Sequence, residues 1–501
     1  MLLPGCAEDS PMGSHQLVRQ WTRTPDTATR RDPDAKAQRM LVLLPIAPLT
    51  FFFGGARPWI WQSVVGIFFI CLGVGLLRNA IPAPSKRLRS LAAMACAPLL
   101  VAFAQTIPLP AALLEMLSPI RAQWSGALLH FGNTGTTTIS YDLLATWTHL
   151  AWWCFLVVFA VLLSQALSRD AQLPSWLLHF FFGLAGMQAA YGIVQALLPS
   201  LGVLWDTLAA TGHAYNGYAR GTFINRNHFA AFLGLLWPVL LAYLLVLKSP
   251  RKMEQMLGKR QRAQILLQKR AFGIFCLGLI ILGLFFSQSR GGILAAMLAF
   301  TLLSLFAGLR RKRVIAALAA CWIIMLGYGT VIGFEGMTNR FLQIDHGMAG
   351  RMEIWKDGWK IVHDHPLTGT GLGTYPEASR AYQNAFGPER LAIHAHNDYL
   401  ETAAELGLPA ACVLIAGIWG LWCRRAILLW RARQTMDPDR LLLAAGSLAA
   451  LGGYMLHGWV EFNNAIPANQ LTAVIMAVFH FHITEQDVFP TSGQATRQQA
   501  F

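Results

Sequence analysis

Apolar runs of about the length of a membrane span recur along this chain, and they constrain its fold more than any other feature. A hydrocarbon core about 30 Å thick needs roughly 20 apolar residues per helix, and only 13% of the 501 residues are charged. The pattern predicts an all-α, polytopic integral membrane protein with about 12 transmembrane helices. The candidate spans are 40–56, 59–77, 91–108, 147–167, 175–198, 228–247, 272–288, 291–308, 314–333, 403–422, 441–460 and 467–485.

The loops between these runs alternate in their content of lysine and arginine. One set of loops carries basic clusters, at 78–89, 248–270, 310–313 and 424–440. Since basic loops stay in the cytoplasm, this set is predicted to be cytoplasmic, together with both termini. The net charge of +15 then reflects membrane topology, and we do not predict nucleic-acid binding.

The same topology divides the chain into five segments. Residues 1–38, rich in Arg, Asp, Thr and Pro, are predicted to form a disordered cytoplasmic tail. N-terminal transmembrane helices fill 39–334, and a large outer loop at 335–402 follows between spans 9 and 10. C-terminal helices at 403–485 then lead into a second cytoplasmic tail at 486–501.

Four arginines lie in or beside the outer segments of this topology. A guanidinium is always charged and binds phosphate oxygens bidentately, so several guanidinium groups aimed at one point would form a diphosphate clamp. The alternative is that each arginine is a boundary anchor that reaches lipid headgroups. A chain that follows the positive-inside pattern has little reason to keep arginines in short outer turns, which favours the clamp. The four candidates are Arg220, Arg226, Arg290 and Arg351.

Two histidines, His394 and His396, lie at the end of the outer loop, where the next helix is predicted to begin. Histidine is the side chain best suited to accept a proton near neutral pH, so both are candidate general bases. The residues that follow, Asn397 and Asp398, could fix the tautomer of such a histidine or cap the next helix. His228, at the start of a span, is a further supporting candidate.

A second His-x-His pair, His363 and His365, raises the alternative of a metal site built from four histidines. No fixed helical spacing of ligands supports a zinc cage, and we predict no metal. The glycine-rich segment 369–373 lacks the Lys-Ser/Thr of a phosphate-binding P-loop and follows no predicted strand. It is predicted to be a turn.

Five motifs in the region 210–465 resemble those of the bacterial O-antigen ligase and polymerase superfamily, which are C-type membrane glycosyltransferases. The motifs are Gly-Thr-Phe-Ile-Asn-Arg-Asn-His-Phe, Ser-Gln-Ser-Arg-Gly-Gly, Gly-Arg-Met-Glu-Ile-Trp, His-Pro-Leu-Thr-Gly-Thr-Gly-Leu-Gly-Thr-Tyr and His-Ala-His-Asn-Asp-Tyr-Leu-Glu. The resemblance implies a glycan donor on undecaprenyl diphosphate, a lipid or glycan acceptor, and transfer at the periplasmic face of the inner membrane, without a cofactor or required metal. It implies that His396 deprotonates the acceptor hydroxyl, with His394 as the substitute assignment, and that the four arginines hold the diphosphate.

Several functions share these motifs. An O-antigen ligase, a repeat-unit polysaccharide polymerase and a protein O-oligosaccharyltransferase would use the same groups and differ in the acceptor. A transporter of inorganic carbon is the alternative from a different class, but it should carry ionisable or broken segments near the middle of the membrane. The predicted spans are nearly free of charge at their centres, which favours chemistry at the membrane surface.

Overall fold

The computed structural model describes residues 33–77, 97–129, 138–204, 217–247, 258–307, 323, 327, 350–383 and 392–488. Within these ranges 77% of the residues are helical and no strand forms, which confirms the all-α class. The predicted tails lie mostly outside the described residues, and so do most of the span predicted at 314–333 and parts of the outer loop.

The described helices are numbered here in chain order. They are α1 (Pro33–Leu43), α2 (Ile46–Phe51), α3 (Pro58–Leu77), α4 (Ala97–Ala104), α5 (Ala111–Leu117), α6 (Pro119–Leu129), α7 (Leu143–Arg169), α8 (Leu173–Leu197), α9 (Arg226–Val246), α10 (Lys259–Phe286), α11 (Arg290–Phe306), α12 (350–364), α13 (Tyr375–Ser379), α14 (Asp398–Leu406), α15 (Leu408–Ala432), α16 (Pro438–His457) and α17 (Pro467–Val488). A short 3₁₀ helix, Asn463–Ala465, lies between α16 and α17.

Five of the described helices are long and apolar enough to cross a membrane: α3, α7, α8, α9 and α15. Three shorter apolar helical stretches, Gln38–Phe51, Arg270–Phe286 and Arg290–Phe306, coincide with further predicted spans. The protein is therefore a multi-pass membrane protein. The figure of twelve spans and the placement of the outer loop stay predictions.

Three helix boundaries differ from those predicted. The first span is divided between α1 and α2 at Pro45, because proline cannot donate the backbone hydrogen bond that a continuous helix requires. The span predicted at 403–422 is divided at Gly407, whose φ of 79° ends α14 before α15 begins. Residues 33–38, at the end of the predicted tail, are helical, and the helix they begin is fixed by Arg39, whose Nε donates to the Asp170 carboxylate at 2.9 Å.

Helix α9 lies at the centre of the protein, with 83% of its apolar stretch buried. It packs against α16 at Gly446, where an added Cβ would lie 2.9 Å from the carbonyl oxygen of Pro238. Gly453 brings α16 equally close to α11, with an added Cβ 2.8 Å from the carbonyl oxygen of Ala295. Small residues allow backbones in a membrane to approach in this way. The three helices therefore form a rigid centre that fixes the positions of their ends.

Polar side chains cap several helices at one end of this centre. Asn225 accepts a hydrogen bond from the backbone at the start of α9, Ser289 does so at the start of α11, and Asn397 does so at the start of α14. Such caps satisfy backbone N–H groups that a helix leaves unpaired at its beginning. The three capped helix starts belong to three of the motif segments.

The loops at this end contact one another through their backbones. Ala219 N donates to Phe286 O at 2.9 Å, and Ala468 N donates to Gly54 O at 3.1 Å. Phe53 and Phe223 form an isolated bridge that joins the loop after α2 to the segment before α9. The chain segments that the motifs mark therefore lie side by side at one end of the helices.

The glycine-rich segment 369–373 forms the predicted turn. Gly369, Gly371 and Gly373 all have positive φ, and an added Cβ at Gly369 would lie 2.2 Å from the carbonyl oxygen of Glu405. Thr370 N donates to Ala404 O at 3.0 Å. Only glycine tolerates this combination of conformation and close approach. The turn fixes the segment that follows α12 against the end of α14.

Candidate active site

The carboxylate of Glu461 joins four chain segments at the end of the helices described above. Its Oε1 accepts a hydrogen bond from His396 Nδ1 at 2.8 Å. Its Oε2 accepts from Arg351 at 2.9 Å and from Asn227 Nδ2 at 2.5 Å. These partners come from the start of α9, the start of α12 and the segment before α14, while Glu461 itself follows α16.

The side chain of Glu461 is only 1% exposed, yet it carries a charge. Burial raises the pKa of Glu461, but the hydrogen bond that it accepts from His396 and its electrostatic interactions with His228, His396 and Arg351 outweigh burial and lower the pKa to about 2. A buried carboxylate is stable in ionised form only when it is paired and hydrogen-bonded in this way. Glu461 is therefore ionised at physiological pH and acts only as an acceptor.

This arrangement determines the tautomer of His396. Because the ionised carboxylate only accepts, Nδ1 of His396 carries a proton and donates to it, and in the neutral form of the imidazole the lone pair therefore lies on Nε2. The side chain of His396 is 28% exposed. A histidine that is held at one nitrogen by a carboxylate and open at the other has the geometry of a general base.

The backbone of His396 is in the left-handed region, with φ of 49°. Residues other than glycine adopt this conformation at a cost of about 1 to 3 kcal/mol, and such residues cluster at active sites. Trp355 Nε1 donates to the carbonyl oxygen of His396 at 3.4 Å. The segment therefore holds His396 in a conformation that its own backbone disfavours.

Asn397 and Asp398 hold the segment rather than the imidazole. Asn397 Oδ1 accepts from the backbone of Tyr399 at 3.0 Å and caps α14, which is one of the two roles predicted for it. Asp398 Oδ1 accepts from Asn464 N at 2.9 Å, and Asp398 N donates to Glu461 O at 3.2 Å. Burial raises the pKa of Asp398 well above its ordinary value. Asn397 therefore caps α14, and Asp398 ties the start of that helix to the turn that carries Glu461.

His394 has a carboxylate partner of its own. Its Nδ1 donates to Glu401 Oε1 at 2.8 Å, while Glu401 Oε2 accepts from Ala395 N at 2.8 Å. The ring of His394 stacks on Phe462, with centroids 4.3 Å apart and planes inclined by 16°. His394 and His396 therefore lie together, each oriented by a different glutamate.

Phe462 contacts three histidines at once. Beside the stacked His394, His228 and His396 approach its ring edge-on, with centroid distances of 4.5 Å and 4.7 Å. His228 is buried, and its Nδ1 donates to Asn463 Oδ1 at 3.3 Å. The structure thus brings His228 into the same cluster, as a supporting residue behind the more exposed pair.

The four arginines have different surroundings. Arg351 joins the cluster through Glu461, and Arg226 lies over the ring of Tyr218, 4.0 Å from its centroid. Arg220 is buried, and its backbone N donates to Gln195 Oε1 of α8 at 3.4 Å. Arg290 is exposed at the first residue of α11. Its neighbour Gly291 lies beside His457, since an added Cβ there would be 3.1 Å from His457 Nε2.

Glu461, which joins the site, was not among the residues predicted from the sequence. Glu461 is the sole carboxylate in the stretch 441–484 and lies in a short turn between two apolar runs. An isolated acidic residue at a membrane boundary is costly to keep and marks a functional site. The sequence carried that signal, but nothing in the sequence indicated which histidine Glu461 would contact.

The second histidine pair is divided between two environments. His365 is buried, with the hydroxyl of Ser118 at 3.1 Å from Nδ1 and that of Tyr141 at 3.0 Å from Nε2. Burial lowers the pKa of His365 to about 4, so its ring is neutral. His363 is 88% exposed. Both ring nitrogens of His365 thus have protein partners, and the residue attaches the end of α12 to the junction between α5 and α6 and to the segment before α7.

Residues 275–415 match the family model described as O-antigen ligase. The match confirms the resemblance that the motifs carry and supports the O-antigen ligase and polymerase superfamily. It indicates a glycosyltransferase-like enzyme of the ligase or polymerase kind. A search of curated proteins finds no match. The matched segment contains Arg290, Arg351, His394 and His396, whereas Glu461 lies outside it.

Proposed function

We propose that this protein transfers a glycan from undecaprenyl diphosphate to an acceptor hydroxyl at the periplasmic face of the bacterial inner membrane. The single observation that carries the proposal is the contact between Glu461 and Nδ1 of His396, which leaves Nε2 as a proton acceptor. The family match supports the reaction class.

In the proposed reaction, Nε2 of His396 takes the proton of the acceptor hydroxyl as its oxygen attacks the anomeric carbon of the donor. The bond between that carbon and the diphosphate oxygen breaks, and undecaprenyl diphosphate leaves with the bonding electrons. Glu461 stabilises the imidazolium that forms, since its charge lies 2.8 Å from Nδ1. Direct displacement of this kind inverts the configuration at the anomeric carbon.

Arg351 is the arginine best placed to act on the leaving group. A guanidinium offers five N–H donors, and the structure shows one of its nitrogens, NH2, directed at Glu461. The side chain is 26% exposed, so its remaining donors can reach a phosphate oxygen. Arg290, exposed at the start of α11, is the second candidate. Arg220 and Arg226 would complete the clamp in the proposed role.

The acceptor separates three versions of this function. A ligase would use lipid A-core, a polymerase the growing chain, and a protein O-oligosaccharyltransferase a protein hydroxyl. All three need the same base and the same diphosphate site. We propose the ligase reaction as the main function, with the other two as alternatives of the same chemistry.

A transporter fits the placement of polar groups less well. The histidine and arginine cluster gathers where helices begin or end rather than within a broken span. A separate buried polar group, in which Arg425 contacts His480 and Thr484, lies far from the cluster along α15. Arg425 is about 25 Å from the first residue of that helix at 1.5 Å per residue.

The test of the proposal uses purified protein, a defined lipid-diphosphate glycan and a metal chelator. His396→Ala should leave donor binding nearly intact and lower transfer by about 10² to 10⁴-fold, the usual contribution of a general base. His394→Ala, the matched control, should lower transfer less. Wild-type turnover in His396→Ala would refute the assignment of the base, and loss of activity on addition of the chelator would favour a metal site.

A further inference from the structure

A groove of about 350 Å³ lies along one face of α12, the helix that begins at the proposed site with Arg351. Its volume falls at the lower end of the range for small-ligand sites, about 300 to 1,000 Å³. Trp359 is 58% exposed within it. The groove is lined by Lys356, Trp359, Lys360, His363, Asp364 and Tyr382.

Helix α12 carries residues of the proposed site at its beginning and residues of the groove further along. Arg351 at its beginning pairs with Glu461, and Trp355 one turn later contacts the carbonyl oxygen of His396. At 1.5 Å per residue, Trp359 lies about 6 Å further along the helix than Trp355, and His363 about 12 Å further. Trp359 therefore lies about 6 Å, roughly the width of one sugar ring, further along α12 than the residue that contacts the His396 segment.

The chemistry of the groove suits a hydroxyl-rich ligand. Lys356 pairs with Glu353 at 2.6 Å, Lys360 pairs with Asp357 at 2.8 Å, and the Tyr382 hydroxyl donates to Asp364 at 2.9 Å. These pairs balance most of the charge and present both donors and acceptors. The indole of Trp359 adds a rigid apolar surface next to them. A pyranose has hydroxyl groups at its rim, which can hydrogen-bond to the polar pairs. It has C–H groups on its faces, which can pack against the indole.

We propose that this groove is a saccharide subsite that holds the acceptor glycan one to two sugar units from the hydroxyl that reacts. The proposal rests on the proposed function. In a direct displacement the acceptor and the diphosphate lie on opposite sides of the anomeric carbon. Helix α12 runs from Arg351, on the proposed diphosphate side, past His396 to Trp359, so the groove lies on the acceptor side.

Photocrosslinking in cells captures whichever molecule occupies the groove. Benzoylphenylalanine placed at Trp359 should capture glycan, detected by mass spectrometry of the adduct. The same group at Leu367, which is 59% exposed just after α12, is the matched control. An adduct with a phospholipid headgroup at position 359, or no more glycan at 359 than at 367, would overturn the proposal.

Kinetics separate the subsite from the reaction itself. Trp359→Ala should raise the KM for the acceptor roughly tenfold, about the effect of one lost aromatic contact, with kcat and the KM for the donor unchanged. Trp359→Phe should recover most of the difference. Core lipopolysaccharide and lipid-linked repeat units serve as the two acceptors. Wild-type protein that transfers to neither would contradict the proposed function, whereas wild-type transfer with unaltered kinetics in Trp359→Ala would contradict the subsite alone.

Discussion

The carboxylate of Glu461 contacts Nδ1 of His396 at 2.8 Å although 65 residues separate the two in the chain. A parallel pair lies beside it, in which Glu401 contacts Nδ1 of His394 at the same distance within a single segment. The two pairs offer alternative bases in nearly the same place. Matched substitutions of the two glutamates can distinguish them.

Glu461→Gln should lower kcat by about 10²-fold or more. The amide can turn its NH₂ group toward Nδ1, which favours the tautomer with a proton on Nε2 and removes the base, and it also removes the charge that stabilises the imidazolium. Glu401→Gln is the control and should have a smaller effect on kcat. Steady-state transfer rates at saturating donor measure both, and a larger loss in Glu401→Gln would assign the base to His394.

Arg290→Ala should abolish most transfer while the thermal unfolding midpoint stays close to that of the wild type, because the side chain is exposed. Arg290→Lys should recover little activity, since an ammonium cannot form the bidentate contact with phosphate. Arg380→Ala, another exposed arginine of the outer segment, is the control and should be active. Full activity of Arg290→Lys would instead indicate a headgroup anchor.

Arg351→Ala should lower the stability of the protein as well as its activity. It removes a partner of the buried Glu461 carboxylate, so we expect a lower thermal unfolding midpoint together with loss of transfer. Arg351→Lys keeps the charge beside Glu461 and should restore the midpoint more than the rate. Equal recovery of stability and rate in the lysine variant would show that the arginine acts only through Glu461.

The stability contributed by Glu461 should depend on pH in a defined direction. Its pKa is lowered from 4.5 to about 2 in the folded protein, so the stabilisation is fully present above the unfolded pKa and is lost as the pH falls toward 2. Thermal unfolding of wild type and Glu461→Gln should therefore differ most near neutral pH, and the difference should shrink progressively as the pH falls from 4.5 to about 2. A difference that stays constant from pH 7 to pH 3 would contradict the charged state of Glu461.

The sidedness of the site can be measured with single cysteines in a cysteine-free background. Leu367→Cys should react with an impermeant thiol reagent in spheroplasts, whereas Gln261→Cys should react only after the membrane is opened. Both positions are exposed, so access to the reagent rather than burial decides the result. The reverse pattern would place the proposed active site in the cytoplasm.

The sequence allowed prediction of the helical class and of the segments that meet. Hydropathy marks a span regardless of what packs against it, and the five long apolar helices overlap predicted apolar runs. The convergence of Asn227, Arg351 and His396 on one end follows because each lies at the same side of the predicted topology.

Individual contacts could not be predicted in the same way. Asn397 has the chemistry both to cap a helix and to orient a ring, and only its backbone geometry shows that it caps α14. The break at Gly407 depends on a left-handed conformation that a glycine permits but does not require. The pairing of His396 with Glu461 depends on how α15 and α16 pack, because these two helices bring the chain back to the end at which His396 lies. No local sequence pattern encodes that return.

That return also determines when the protein can become active during its synthesis. His396 enters the membrane boundary before α15, but its carboxylate partner arrives only after α16 has been inserted. Until then the imidazole has no acceptor at Nδ1, Arg351 lacks its buried counter-ion, and Phe462 is not present to order the three histidines. In the proposed reaction the base is therefore oriented only once the turn between α16 and α17 is in place, so the site is completed by the last two described helices.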